Sequence, residues 1–399
     1  MARNWSAENP VSRESVIQVG NDPVWRFRAD FRRRWIVSTS HRGGVVVTDM
    51  DTGLALWGLG KEEVRPHAHL EYDAESGTAV WDRWGNAVEV WRVDEGEGIP
   101  RGTFRLVKVL THDVETRGYQ LSYGALCVVS TEGVGFVYDM TGEEPVLKTR
   151  MEIEHEAVGH LDQNEDVVMY SMGKKGYHIY EKDTGKLVGK MDPLKCSNAY
   201  HIIHPDPPLF DILTTARHHI PRLRNFGHPL QYPRRDRFAS LWLEEGPHPD
   251  APIPIEEEEW GAGMLSGDVM VGVSNGGSVF ICTDWRGSLK SLRTYNSHCV
   301  VIGCEPNDNI TDLGSWLSVR NDRILFEVHD LIYILTLPDI KTQPWPQLMK
   351  GGQNPIYAIS QSSTPQIGEP VSFMAAWDDC IMFTYTVSLR SYLDILAQL

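Results

Sequence analysis

Between Trp35 and Trp57 the chain reads WIVSTSHRGGVVVTDMDTGLALW: an apolar run, a turn carrying two glycines, a second apolar run, a turn at Asp-Thr-Gly, and a third run. Short runs rich in Val, Ile and Trp, bounded by Gly and Asp, predict strands joined by tight turns. The stretch reads as the inner hairpin of a sheet plus the start of its next strand. The same pattern returns. TAVWDRWGNAVEVWRVD begins at Thr78, ALCVVSTEGVGFVYDMTG at Ala125 and DVVMYSMGKKGYHIYEKDTG at Asp166. Later come DVMVGVSNGGSVFICTDWRG from Asp268, DRILFEVHDLIYILTLPD from Asp322 and DCIMFTYTVSLRSYLDI from Asp379. Gly44, Gly85, Gly133, Gly176 and Gly277 sit in the first turn, where a residue free to take positive φ lets a hairpin close. Asp51-Thr52-Gly53, Thr141-Gly142, Asp183-Thr184-Gly185 and Arg286-Gly287 mark the second turn. Helical periodicity is scarce, and only residues 389–399, LRSYLDILAQL, read as a short helix suited to closing or ending the fold.

The first steps, from 35 to 78, 78 to 125 and 125 to 166, span 43, 47 and 41 residues. Four-stranded propeller blades repeat every 40–45 residues or so. The step from 166 to 268 is 102 residues, which places a degenerate blade or a long insertion between them. The last two steps, 54 and 57 residues, fit blades with longer loops. The expected fold is all-β, a β-propeller of four-stranded blades, seven by this count with six or eight as alternatives. Residues 1–23 are expected to lead into the ring, and residues 24–399 to form one domain, irregular at about 191–260. A lone four-stranded sheet leaves two apolar faces, and radial stacking buries both while leaving only short edges.

The units resemble WD40 repeats, in which a Trp-Asp dipeptide ends the strand after the hairpin turn. The matching pairs are Thr48-Asp49, Val90-Trp91, Tyr138-Asp139, Tyr180-Glu181 and Thr283-Asp284, so the Asp is present in three of five and Trp-Asp in none. The literal Trp81-Asp82 precedes its turn and does not match. His67, His112 and His155 precede their units by 11, 13 and 11 residues. They read as metal ligands or as structural links from an outer turn to the blade, as the Gly-His of WD40 repeats is. Their separation on different units favours the link. The N-terminal run RNWSAENPVSRESV, Arg3 to Val16, and the VWRFRADFRRRWIVSTS that follows it resemble the junction of fungal F-box/WD-type proteins. There an Asn-Trp segment, here Asn4-Trp5, leads from the F-box helices into the first blade. That likeness covers about the first 190 residues. It implies a substrate-recognition propeller of a ubiquitin ligase, with any F-box, and hence any Skp1-type adaptor contact, expected upstream of residue 1.

The 399 residues carry a formal charge of −16. A nucleic-acid binder needs a basic face for phosphates, so neither DNA nor RNA is expected as a partner. Cys127, Cys196, Cys282, Cys299, Cys304 and Cys380 are far apart with no CxxC pair, which reads as reduced thiols rather than a disulfide framework. The start MARNWSAENP has no apolar core of a signal peptide, and no apolar run is long enough to span a bilayer. A cytoplasmic or nuclear location without membrane contact is the expectation.

Between Met191 and Trp260 the period breaks into a segment rich in Pro, His and Arg, followed by an acidic one. AYHIIHP and FASLWLEEG within it read as strands of the irregular unit. His201 and His204, or His218 and His219, lack the convergent ligands a zinc site needs, and no metal or cofactor is expected. Arg217, Arg222, Arg224, Arg234, Arg235 and Arg237, interleaved with Phe226 and Tyr232, make a basic and aromatic cluster in an acidic chain. Arg and aromatic residues are enriched at protein interfaces, so this is the candidate contact for a protein partner or degron peptide. Its bland counterpart is a solvated loop neutralised by Glu256 to Glu259. GxSxG, HExxH and P-loop signatures are absent, and GKKG at Gly173 falls in a hairpin turn rather than between a strand and a helix. A non-enzymatic interaction propeller is expected. A scaffold without a ligase link, or an enzyme with carboxylates converging in the central channel, are the alternatives.

Overall fold

A computed structural model describes residues 12–14, 17, 19, 22–84, 86–154, 160–203, 232–234, 238–247, 257–304, 317–320, 323–328, 331–336, 345, 356–360, 374–376 and 381–384. After β1 (Ser12–Glu14), the first sheet comprises β2 (Val24–Asp30), β3 (Trp35–Ser40), β4 (Val45–Asp49) and β5 (Ala55–Leu59). The second holds β6 (Leu70–Asp73), β7 (Thr78–Arg83), β8 (Ala87–Val93) and β9 (Phe104–Thr111). The third holds β10 (Thr116–Ser122), β11 (Ala125–Ser130), β12 (Val134–Asp139) and β13 (Val146–Glu152). The fourth holds β14 (Leu161–Gln163), β15 (Val167–Ser171), β16 (Tyr177–Glu181) and β17 (Leu187–Met191). Each sheet is an antiparallel meander in sequence order.

Next come β18 (Ala199–Ile203), β19 (Tyr232–Arg234) and β20 (Phe238–Glu245), then β21 (Trp260–Ser266), β22 (Val269–Ser274), β23 (Ser278–Cys282) and β24 (Cys299–Gly303). Helices α1 (Trp285–Lys290) and α2 (Leu292–His298) separate β23 from β24. The turn expected at Arg286-Gly287 is therefore helical. Asp284 starts α1 by accepting the Gly287 N–H at 2.8 Å, and Ser291 starts α2 by accepting that of Thr294 at 3.3 Å. The chain continues through β25 (Leu317–Arg320), β26 (Arg323–Val328), β27 (Leu331–Thr336), β28 (Ile356–Ser360), β29 (Met374–Ala376) and β30 (Ile381–Phe383).

The first strands of successive sheets lie against one another in the order β2, β6, β10, β14, β21, β25, β29. These are the inner strands of a propeller. The segment Trp35–Trp57 is thus the second, third and most of the fourth strand of a blade, and the inner strand is the more polar stretch before it. Burial grades outward. Second and third strands are enclosed on both faces by neighbouring sheets, as in β11 and β15, where every residue is buried. Fourth strands are open on their outer side, with Val146 and Leu147 of β13 and Leu187 and Val188 of β17 exposed. In the first four blades the pairing of third with fourth strand slips by one residue at the same place: at Val47/Thr48, Val90/Trp91, Val137/Tyr138 and Ile179/Tyr180. A bulge there adds twist, which a radially stacked sheet needs.

Past the fourth blade the plan changes. Strands β18 and β20 form no sheet of their own. β18 pairs in parallel with β24, the outer strand of one blade, and antiparallel with β20. β20 pairs with β28, the outer strand of the next. The two blades thereby join into one ten-stranded sheet. One core shared between them includes Tyr200, Ile202, Leu241, Val279, Ile302, Phe326, Tyr333 and the fully buried Trp345. At the far side of the ring Ala375 and Met382, from β29 and β30, pack on Phe27, Ala29 and Ile36 of the first blade together with Ile17 and Val19.

Candidate functional site

Of the cluster singled out in the sequence, Tyr232 and Arg234 fall in β19, whose ladder partner is β1. Ser12 stands opposite Arg234, Arg13 opposite Pro233 and Glu14 opposite Tyr232. The Arg-bearing segment is thereby joined to the N-terminal segment, a pairing over 200 residues apart that no local pattern announces. Arg217, Arg222, Arg224, Phe226, Arg235 and Arg237 lie outside the described residues, as do His155, His204, His218 and His219. His201 is accounted for structurally, with Nδ1 3.1 Å from the Gly246 carbonyl. Among the described residues no group of three or more His, Cys, Asp or Glu is placed to hold a metal.

A second concentration of chemistry lies where the inner strands meet. β2 is the alternating run Val-Trp-Arg-Phe-Arg-Ala-Asp, so Arg26, Arg28 and Asp30 share one face and Phe27 and Ala29 the other. The apolar face meets β29, as described; the charged face meets β6 of the second blade. Arg28 Nη2 lies 2.7 Å from Glu71 Oε1, which His69 Nε2 also approaches at 3.2 Å. Burial works against the Glu71 charge, yet Arg28 and the His69 hydrogen bond outweigh it and hold the carboxyl at about 2. Burial, aided by Arg26, pushes His69 down to about 4, so its ring is neutral at physiological pH. Arg26 is itself lowered to about 10 by burial and by repulsion from Arg28. Tyr72 donates to Asp30 at 2.7 Å, tying the same two strands.

The next junction follows the same logic. Tyr119 of β10 donates across to Asp82 at 2.9 Å and to the His69 carbonyl at 2.5 Å, and Asp82 also takes the His69 N–H and Arg65. Between third and fourth blades, Gln163 donates through Nε2 to the carbonyls of Gln120 and Ala125, both at 3.0 Å. Its Oε1 accepts from the buried Lys182 at 3.1 Å. Between fourth and fifth, Asp162 Oδ2 accepts the Leu265 N–H at 2.6 Å, and the Trp260 N–H reaches the Gly173 carbonyl at 3.1 Å. Burial raises Asp162 to about 7, with the Leu265 and Gln163 amides opposing and the distant Glu71 charge adding. These acids and their donors act as mortar between inner strands, each carboxylate engaged by a group on another strand. Local pattern does not single these residues out, because RFRAD, HLEYD and LDQ are short, half-polar segments hard to tell from loops.

The Asp at the WD40-like position caps the next turn, and Asp49 also takes Arg101 from the β8–β9 connection of the second blade. Asp49 Oδ1 accepts the N–H groups of Asp51 and Thr52 at 2.9 and 2.7 Å, and Asp139 Oδ1 that of Thr141 at 2.9 Å. Each ends the third strand by capping the following turn. Trp81 is buried and stacked on Trp91 with centroids 5.2 Å apart; both indole N–H groups donate to Glu89 Oε2, at 3.2 and 2.9 Å. His112 is a buried link, its ring between the Asn86 carbonyl at 3.2 Å and the Tyr138 hydroxyl at 3.0 Å. His67 instead stands on the surface beside His41.

Meandering four-stranded sheets arranged by their inner strands define a β-propeller. No family model matches the chain, and no curated protein matches its sequence. Among solved structures it is similar to the computationally designed Ika8 protein, at 13% identity and a TM-score of 0.52, over 94% of this chain and 96% of that one. BamB from Moraxella catarrhalis aligns at 10% identity and a TM-score of 0.42, over 82% of this chain and 73% of that one. The likeness to the designed protein, at 13% identity, speaks to the fold alone.

Proposed function

We propose that this chain is a non-enzymatic interaction propeller of seven blades that presents its surface to a protein partner or degron peptide. The observation that carries the reading is the engagement of the carboxyl groups near the centre: Glu71, Asp82 and Asp162 are each committed to holding neighbouring blades together. With the centre so occupied, recognition is assigned to the rest of the surface, and the basic and aromatic residues around Arg234 in the sequence, of the kind that protein interfaces favour, are the proposed contact. In its finer form, the chain is the substrate-recognition part of an F-box-type receptor in the cytoplasm or nucleus, a reading supported by the likeness around Asn4-Trp5. The test is co-purification of the full-length gene product. Recovery of a Skp1-type adaptor in stoichiometric amount supports the receptor, and its absence leaves the scaffold. Reversing Arg234, Arg235 and Arg237 to Glu is expected to abolish partner binding without lowering the melting temperature; partner binding unchanged by the reversal would move the contact to a ring face.

A further inference from the structure

Two imidazoles meet on the rim of the first blade. His41 lies in the turn between β3 and β4, and His67 in the connection from β5 to β6. His41 Nδ1 and His67 Nε2 are 3.2 Å apart, and the rings stand at 81°. Both backbones are pinned: the His41 N–H donates to the Pro23 carbonyl at 2.9 Å and the His67 N–H to that of Ser40 at 3.2 Å. His67 is held at φ +56°, a left-handed conformation costly for most residues and better tolerated by His and Asn. Trp25 braces the pair from below, its ring edge-on to each imidazole with centroids 5.1 Å away.

We propose that His41 and His67 form a two-imidazole site for a first-row divalent cation of the Zn²⁺ or Ni²⁺ class. Two nitrogens bound to one such ion at about 2.0–2.1 Å, in tetrahedral or octahedral geometry, stand about 2.8–3.4 Å apart. The observed separation falls in that window, and imidazole is the ligand these ions favour. Without metal, one ring donates its N–H to the other. Binding requires a lone pair on both facing nitrogens, so the donor ring moves its proton to its far nitrogen with no net gain or loss. Water completes the coordination, and the bound ion clasps the first hairpin turn to the crossing into the second blade.

The test uses the full chain, Zn²⁺ followed by calorimetry, and Ni²⁺ quenching of tryptophan fluorescence. His41→Gln removes one ligand, and His67→Asn removes the other while keeping a residue that accepts left-handed φ; thermal melts verify that both variants fold. The expected result is a Zn²⁺ binding event weakened at least about tenfold in either variant. A Ni²⁺ quenching component that disappears in Trp25→Phe is expected with it. Zn²⁺ binding as tight in both variants as in the parent, or quenching unaffected by Trp25→Phe, would overturn the site.

Discussion

Asp162 offers a sharp test of how the ring is held together. Its carboxyl sits at the junction of β14 and β21, accepting the Leu265 N–H at 2.6 Å, and burial raises it from 3.8 to about 7. A carboxyl raised on folding keeps a proton in the native state that the unfolded chain has already released. Its effect on stability is therefore most favourable in acid and declines as pH climbs from near 4 to near 7. The full penalty above pH 7 is roughly 4 kcal/mol, and about 1.5 kcal/mol of it is already present at pH 5. Asp162→Asn keeps an oxygen for the Leu265 amide and cannot ionise. Urea unfolding of both proteins at pH 5, 6, 7 and 8, followed by tryptophan fluorescence, should show the variant gaining on the parent by roughly 2.5 kcal/mol between the extremes. The comparison between pH values cancels any constant cost of the amide. A difference that stays flat with pH, or that shrinks toward pH 8, would refute the buried interblade carboxyl.

Other expectations follow from the same junctions. Glu71 is held at about 2, so its contribution is present above 4.5 and lost as pH falls toward 2; Glu71→Gln should cost about 3 kcal/mol at pH 7 by removing the charge that Arg28 pairs with, the deficit fading in acid titrations of stability. Gly272 faces Tyr177 so closely that an added Cβ would stand 2.1 Å from the hydroxyl oxygen; Gly272→Ala should lose about 1–3 kcal/mol or more, non-additively with Tyr177→Ala in a double-mutant cycle. Glu89→Ala strands the indole N–H groups of Trp81 and Trp91 and should cost about 2 kcal/mol or more, read from a shifted denaturation midpoint.

The parts of the propeller that were legible are those buried on both faces. Strands such as β11 and β15 lie between two neighbouring sheets, must be apolar throughout, and so stand out with their period intact. Inner strands are half polar because their polar side chains bond across to the next inner strand, as Arg28 does to Glu71, and RFRAD and LDQ carry no signal that sets them apart from loops. That is why Trp35–Trp57 reads as an inner hairpin when it begins one strand further out. The linking of β18 and β20 to two different blades depends on contacts between chain segments far apart, as does the β1–β19 ladder that joins Arg234 to the N-terminal segment. Local periodicity has no access to such pairings. Helices α1 and α2 escaped for a different reason: each is a turn or two long, shorter than a periodic pattern can declare.

The central claim is that the chain works by holding a protein at its periphery while its charged centre serves the fold. Quantitative affinity purification of three full-length proteins tests it most directly: the parent, the Arg234, Arg235 and Arg237 to Glu reversal, and Asp162→Asn. The account predicts a stoichiometric protein partner on the parent and on Asp162→Asn, lost from the reversal while all three remain folded. A partner retained by the reversal but lost from Asp162→Asn would contradict it, placing recognition at the centre of the ring.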